Sequence, residues 1–223
     1  MTESHRIMRN STVNVREPAI LFAVYMAPGI VAGLGGSSVS IETATLIALI
    51  LRNGAFGLLV LYLMDLGGDR SILIGAGGIH RTVRISIGVA VLLVTLAALI
   101  RLVFAFLPGV STVPNFSEAV PGEPFSLVLL GFAVVVAAYV EELFFRAYLL
   151  TRLRRAGLSS FLVITAGGLA FALGHSWQGV EAILFSGFAG IALGILWTRT
   201  MNYQGLALGH ALYNITVLLI AHF

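Results

Sequence analysis

Apolar residues in this chain fall in long, nearly unbroken runs, not in the alternating or one-faced patterns of a soluble domain. A helix that crosses a bilayer needs roughly 20 mostly apolar residues. On that rule the runs predict seven spanning helices, near Pro18–Gly36, Thr43–Met64, Ile85–Phe106, Phe125–Leu150, Ser159–His175, Val180–Thr200 and Gln204–Phe223. The second run carries Arg52 and Asn53 midway, which blurs its ends. The stretches between runs are punctuated as connections: Gly67 to Gly78 is Gly-rich and charged, and Pro108 to Pro124 holds four prolines with Glu118 and Glu123. The expected fold is all-α, a polytopic membrane helix bundle of about seven transmembrane helices. Residues 1–124 form a tail plus three helices, and residues 125–223 form a four-helix core within one integrated membrane domain.

The basic residues orient this bundle. The tail holds Arg6, Arg9 and Arg16; the second connection holds Arg70, Arg81 and Arg84; the fourth holds Arg152, Arg154 and Arg155; the sixth holds Arg199. The first, third and fifth connections carry only Glu42, Glu118, Glu123 and Glu181. By the positive-inside rule the Arg-rich ends and the N-terminus are cytoplasmic. An Arg-containing tail before an apolar run also resembles a secretory signal, but the run from Pro18 to Leu34 exceeds the usual ~7–15-residue signal core. The first helix is therefore read as retained. Pro28 is expected to kink it. Small residues four apart, Gly29 with Gly33, Gly190 with Gly194 and Gly205 with Gly209, predict close helix contacts. The chain has no internal repeat of the kind that builds two-fold transporters.

Composition sharpens the picture. Hydrophobic residues make up 58% of the chain, charged residues 10%, and the mean hydropathy is +0.99. A soluble domain carries roughly 25% charged residues, so the lipid bilayer is the solvent implied. All the basic residues are Arg, and they sit beside apolar runs, not along a stripe. No nucleic-acid partner is expected from that arrangement. The absence of Cys excludes disulfides, a thiol nucleophile and thiolate metal sites.

Ionisable groups in hydrocarbon are costly and usually face a bundle interior or a wet cavity. Glu141, Glu142, Arg146, His175, His210 and Asn214 all fall in the second half of the chain, on three helices. Glu142 and Arg146 are four apart, share a face and can pair. Glu141 points about 100° away and so should face a different neighbour. His210 and Asn214 share a face, and Phe171 lies one turn before His175. A bland reading exists for each: a neutralised pair, a buried structural carboxylate, satisfied core histidines.

Taken in order, these residues form three motifs. Glu141-Glu142-Leu143-Phe144-Phe145-Arg146 reads as E-E-x-x-x-R, Phe171 to His175 as F-x-x-x-H, and His210 to Asn214 as H-x-x-x-N. On successive late helices they resemble the CPBP family, the CAAX-prenyl-endopeptidase and bacteriocin-processing (abortive infection) membrane proteases. The resemblance covers Phe125 to the C-terminus and leaves the first three spans as membrane helices without assigned chemistry. It implies an intramembrane endopeptidase in which Glu141 and His175 activate water and His210 and Asn214 hold the oxyanion. Glu142, Arg146 and Phe171 support them. It implies no cofactor and a membrane-associated peptide or protein substrate, cut on the cytoplasmic side of a bacterial or archaeal plasma membrane.

Elementary chemistry is compatible with those roles. Burial penalises a carboxylate's charged form, which suits a group that must accept and return a proton. Donors aimed at a developing oxyanion are worth more there than in water. One geometric tension stands: counted from Ser159, His175 lies nearer the far membrane face than Glu141 and His210 do. The fifth helix must start outside the hydrocarbon, tilt or shift for the four groups to meet. Two rival readings use the same residues. Two His and a Glu with an open position could hold a catalytic zinc, although no H-E-x-x-H helix is present. A non-enzymatic chaperone or proton-coupled transporter would bind or relay with the same cluster.

Overall fold

The computed structural model describes residues 15–35, 42–74, 77–107 and 121–222, with side chains of the first helix described through Pro28. Arg6, Arg9, Glu118, the packing of Gly29 and Gly33, and the side chain of His222 lie outside the described residues. Among the described residues seven long helices follow one another: α1 (Arg16–Gly35), α2 (Thr43–Leu66), α3 (Gly78–Ala105), α4 (Pro124–Arg155), α5 (Ser160–Gly174), α6 (Val180–Thr200) and α7 (Tyr203–His222). Among the described residues there is no strand. Helices α2, α3, α4, α6 and α7 are long and apolar enough to cross a membrane; α5, at 15 residues, is shorter. Large apolar side chains such as Ile20, Leu58 and Val128 are more than 60% exposed. Exposed large apolar residues occur on all of these helices, which fits a lipid solvent and not water.

Helices extend past the apolar runs where their ends meet polar surroundings. Helix α3 begins at Gly78, ahead of His80, Arg81 and Arg84. Helix α4 continues to Arg155, but its middle departs from α geometry: Leu143–Leu150 is a π-helix, every residue of it buried. π turns are rare and concentrate at functional sites. Phe144, Phe145 and Tyr148 fill the space around it, packing against Phe56 of α2, Phe22 and Tyr25 of α1, and Phe171 of α5.

Glycines set two helix crossings beside this core. A Cβ added at Gly190 would lie 2.9 Å from Gly168 Cα, so α5 and α6 meet almost backbone to backbone. A Cβ at Gly209 would lie 2.6 Å from the Ser86 carbonyl oxygen, and one at Gly205 2.8 Å from Ile85, which fixes α7 against α3. Gly194 sits against Ile164 in the same way as Gly190 sits against Gly168, with more room. These contacts place small residues where dispersion packing, not water exclusion, must hold helices together.

The Arg-rich ends are tied down. Arg152 Nη2 donates to the Leu63 carbonyl at 3.0 Å and Arg155 Nη1 to the Gly67 carbonyl at 3.2 Å. Both therefore complement the negative C-terminal end of α2. Asp69, 2% exposed, pairs with Arg152 and Arg155. Glu17 of α1 approaches Arg152 and accepts from the Tyr148 hydroxyl. Three helices are thus clamped at the end where their basic residues collect.

Candidate active site

Glu141 and Glu142 close the α-helical part of α4, and the π turn starts one residue later. Glu142 is fully buried and Arg146 only 2% exposed. Arg146 Nε lies 3.2 Å from Glu142 Oε2, out of line for a hydrogen bond, and its two terminal nitrogens have no hydrogen-bond partner among the described residues. The guanidinium lies instead over the Phe171 ring, 4.6 Å from its centroid. A cation over an aromatic face recovers part of what lost hydration costs.

The other Glu142 oxygen reaches across to α7. Its Oε1 is 2.9 Å from His210 Nδ1. Since an ionised carboxylate can only accept, Nδ1 carries the hydrogen and Nε2 is turned the other way. There it meets Glu141, whose Oε2 is 3.9 Å from Nε2. That gap is too long for a direct hydrogen bond and short enough for one water to touch both atoms. The expectation that the two glutamates serve different neighbours is corrected: both flank His210. The reason is the ring, whose two nitrogens point apart and can meet two carboxylates that diverge along a helix.

His175 leaves α5 at φ −105°, ψ 8°. Its Nδ1 is 2.9 Å from the Phe171 carbonyl oxygen. A carbonyl cannot donate, so Nδ1 holds the hydrogen and the neutral ring keeps a lone pair on Nε2. The Phe171 ring lies 4.6 Å from the His175 ring and 6.2 Å from the His210 ring. This one aromatic side chain is near both imidazoles and lies beneath Arg146, so His175 and His210 flank a common ring despite the difference in depth expected from counting residues. Asn214, one turn after His210, donates from Nδ2 to the Val134 carbonyl of α4 at 3.4 Å. Its second N–H is not used by that bond.

Glu141, His175, His210 and Asn214 all line one cavity of about 1150 Å³. Glu142 and Arg146 lie behind its wall. The cavity is not a pocket at the Arg-rich end. From Glu141 and Leu193 it runs past Leu49, Trp177 and Gln178 to Ile220 and Ala221, which stand near helix ends joined by the Arg-free connections. The π turn and the aromatic core lie between the cavity and the Arg-rich end. Helices α1–α3 also reach this cavity, through Tyr25, Arg52, Asn53 and Arg101. Asn53 is buried and accepts from the Tyr25 hydroxyl at 3.1 Å. In the sequence Arg52 shows only as a break in an apolar run, and Arg101, inside the third run, carries no signal.

Among the described residues, no group of three His, Asp or Glu side chains is arranged to hold a metal ion. Residues 123–216 match the model of a family described as type II CAAX prenyl endopeptidase Rce1-like. The match takes in α4, α5, α6 and α7 as far as Thr216, and so every residue of the three motifs. No curated protein and no solved structure matches the chain.

Proposed function

We propose that this membrane protein hydrolyses a peptide bond of a membrane-associated substrate with Glu141 as the proton-transferring group, a reading supported by the match of residues 123–216 to the model of the type II CAAX prenyl endopeptidase Rce1-like family, a protease family. The observation that carries this reading is the meeting of Glu141, His175, His210 and Asn214 on one cavity. A water held by Glu141 and by the free Nε2 of His175 loses a proton to Glu141 as its oxygen attacks the peptide carbonyl carbon. The carbonyl oxygen becomes an oxyanion facing His210 Nε2 and the free N–H of Asn214. For Nε2 to donate while Nδ1 donates to Glu142, His210 must carry both ring protons, and Glu142 supplies the counter-charge. The C–N bond then breaks as Glu141 returns its proton to the leaving nitrogen. Glu142, Arg146 and Phe171 position these groups and do not touch the reacting atoms.

The test is cleavage of farnesylated and unprenylated peptides ending in a CAAX-like tetrapeptide, by purified wild type and Glu141→Gln, with and without chelator. Glu141→Gln is expected to lose at least about a hundredfold in rate. Full activity in that variant would remove the assignment. Chelator inhibition reversed by added zinc would remove only the metal-free version. A transporter needs a cavity open to both faces, and the aromatic core beneath Glu141 disfavours that alternative.

A further inference from the structure

Two arginines outside the family match stand on the wall of the catalytic cavity. Arg52 projects from the middle of α2, and Arg101 from the last turn and a half of α3. Neither makes a salt bridge or hydrogen bond with any described residue. The carboxylates that line the cavity, Glu141 on α4 and Glu181 on α6, are both beyond salt-bridge distance of either guanidinium. Yet Arg52 is near the chemistry: Tyr25 lies within electrostatic reach of Arg52 and of Glu141 alike, and it bonds to Asn53, the neighbour of Arg52. Tyr213, beside Asn214, lies likewise within reach of Arg101.

An unpaired guanidinium in the hydrocarbon layer is costly, and such groups mark ligand or ion paths. Arg52 is about 14 Å along α2 from Thr43, at 1.5 Å per residue. A side chain cannot snorkel that far to a headgroup. Arg101, about 6 Å from the end of α3 by the same count, is close enough to the Arg-free face to meet an arriving anion first. Between them runs a cavity larger than most small-molecule pockets. A peptide of any sequence has one anion it always carries, the carboxylate at its C-terminus.

We propose that Arg52 binds the C-terminal carboxylate of the substrate, with Arg101 drawing that end into the cavity, so that α2 and α3 confine cleavage to the end of a chain. This rests on the peptidase reading and extends it to helices the family match does not cover. Arg52 acts on specificity and is not part of the water-activating machinery. The fork of the guanidinium matches a carboxylate in two parallel bonds, which a carboxamide cannot reproduce.

The experiment uses the full chain carrying Glu141→Gln, so that bound peptide is not consumed, in neutral-detergent micelles. Two mixtures of synthetic apolar peptides without Asp or Glu are offered, identical except that one ends in a carboxylate and the other in a carboxamide. Retained peptide is counted by mass spectrometry. Acids are expected to be retained about tenfold over amides, the scale of a charge-assisted hydrogen bond. Adding Arg52→Gln should remove that preference, and Arg52→Lys, which keeps the charge but not the fork, should keep only part of it. Adding Arg101→Gln should slow capture at low salt and much less at high salt. Equal retention of acids and amides with Arg52 intact overturns the proposal. So does an equal loss of both in Arg52→Gln, which would assign the arginine to structure. Displacement of the acids by phosphatidylglycerol but not phosphatidylcholine would assign the site to a lipid phosphate, also against it. If acids are preferred yet the wild type cuts nothing, the peptidase reading fails and the anion site stands; if acids and amides are cut alike, the reverse holds.

Discussion

Glu142 holds two cations or potential cations at once, Arg146 on its own helix and His210 across the bundle. Removing one partner of a buried charge pair costs about 3–5 kcal/mol, because the other is left uncompensated. Glu142→Ala is therefore expected to lower the unfolding temperature sharply in detergent. Replacing the pair together, as Glu142→Leu with Arg146→Met, should recover most of that stability. It should not recover activity, which stays down about a hundredfold for want of an oriented His210. Recovery of both would mean that Glu142 has no part in orienting His210 or balancing its charge. The motif spacings made Glu142, Arg146 and the four cavity residues legible before any fold was known. The link from Glu142 to His210 was not, because a helical wheel assigns each carboxylate one face and says nothing of a ring with two edges. Arg52 and Arg101 were hidden for another reason: a single charge in an apolar run carries no periodicity.

The seven apolar runs correspond to seven helices, and their errors have one cause. Hydropathy reports where side chains would meet hydrocarbon, whereas helices continue into the interface when polar residues can reach water. Hence α3 starts at Gly78 and not at Ile85. The π turn was invisible for the opposite reason. From Leu143 to Leu150 every position is buried, so no exposed face reveals a change of period. The glycine pairs were legible as packing but not as to partner. Gly209 is the most constrained of them, with the Ser86 carbonyl and Val89 both inside the space of a methyl group. Gly209→Ala is expected to cost about 1–3 kcal/mol by overpacking, seen as a lower unfolding temperature. It should also reduce activity, since the next residue on α7 is His210. Gly54→Ala, with nothing near the added methyl, is the control and should leave activity unchanged without lowering the unfolding temperature, since alanine is the better helix former.

For the whole molecule, the alternation of Arg-rich and Arg-free connections gave an orientation, and the cavity gives the direction in which the chemistry faces. Because the chain has no cysteine, single cysteines can report on both. In sealed vesicles, Gln178→Cys at the cavity's far end and Arg154→Cys at the clamped end should react with a membrane-impermeant thiol reagent from opposite faces. Labelling from the same face would break the seven-span topology. The shortness of α5 reaches further than its neighbours do. Its 15 residues span about 22 Å at 1.5 Å per residue, well under the ~30 Å of a typical hydrocarbon core. Lipid beside it must thin, or that flank of the bundle must admit water down to His175. Hydrolysis needs water at that depth, so the bilayer becomes a reagent in its own right. Short-chain phosphatidylcholine should favour turnover and long-chain lipid should starve it, with the protein itself unchanged.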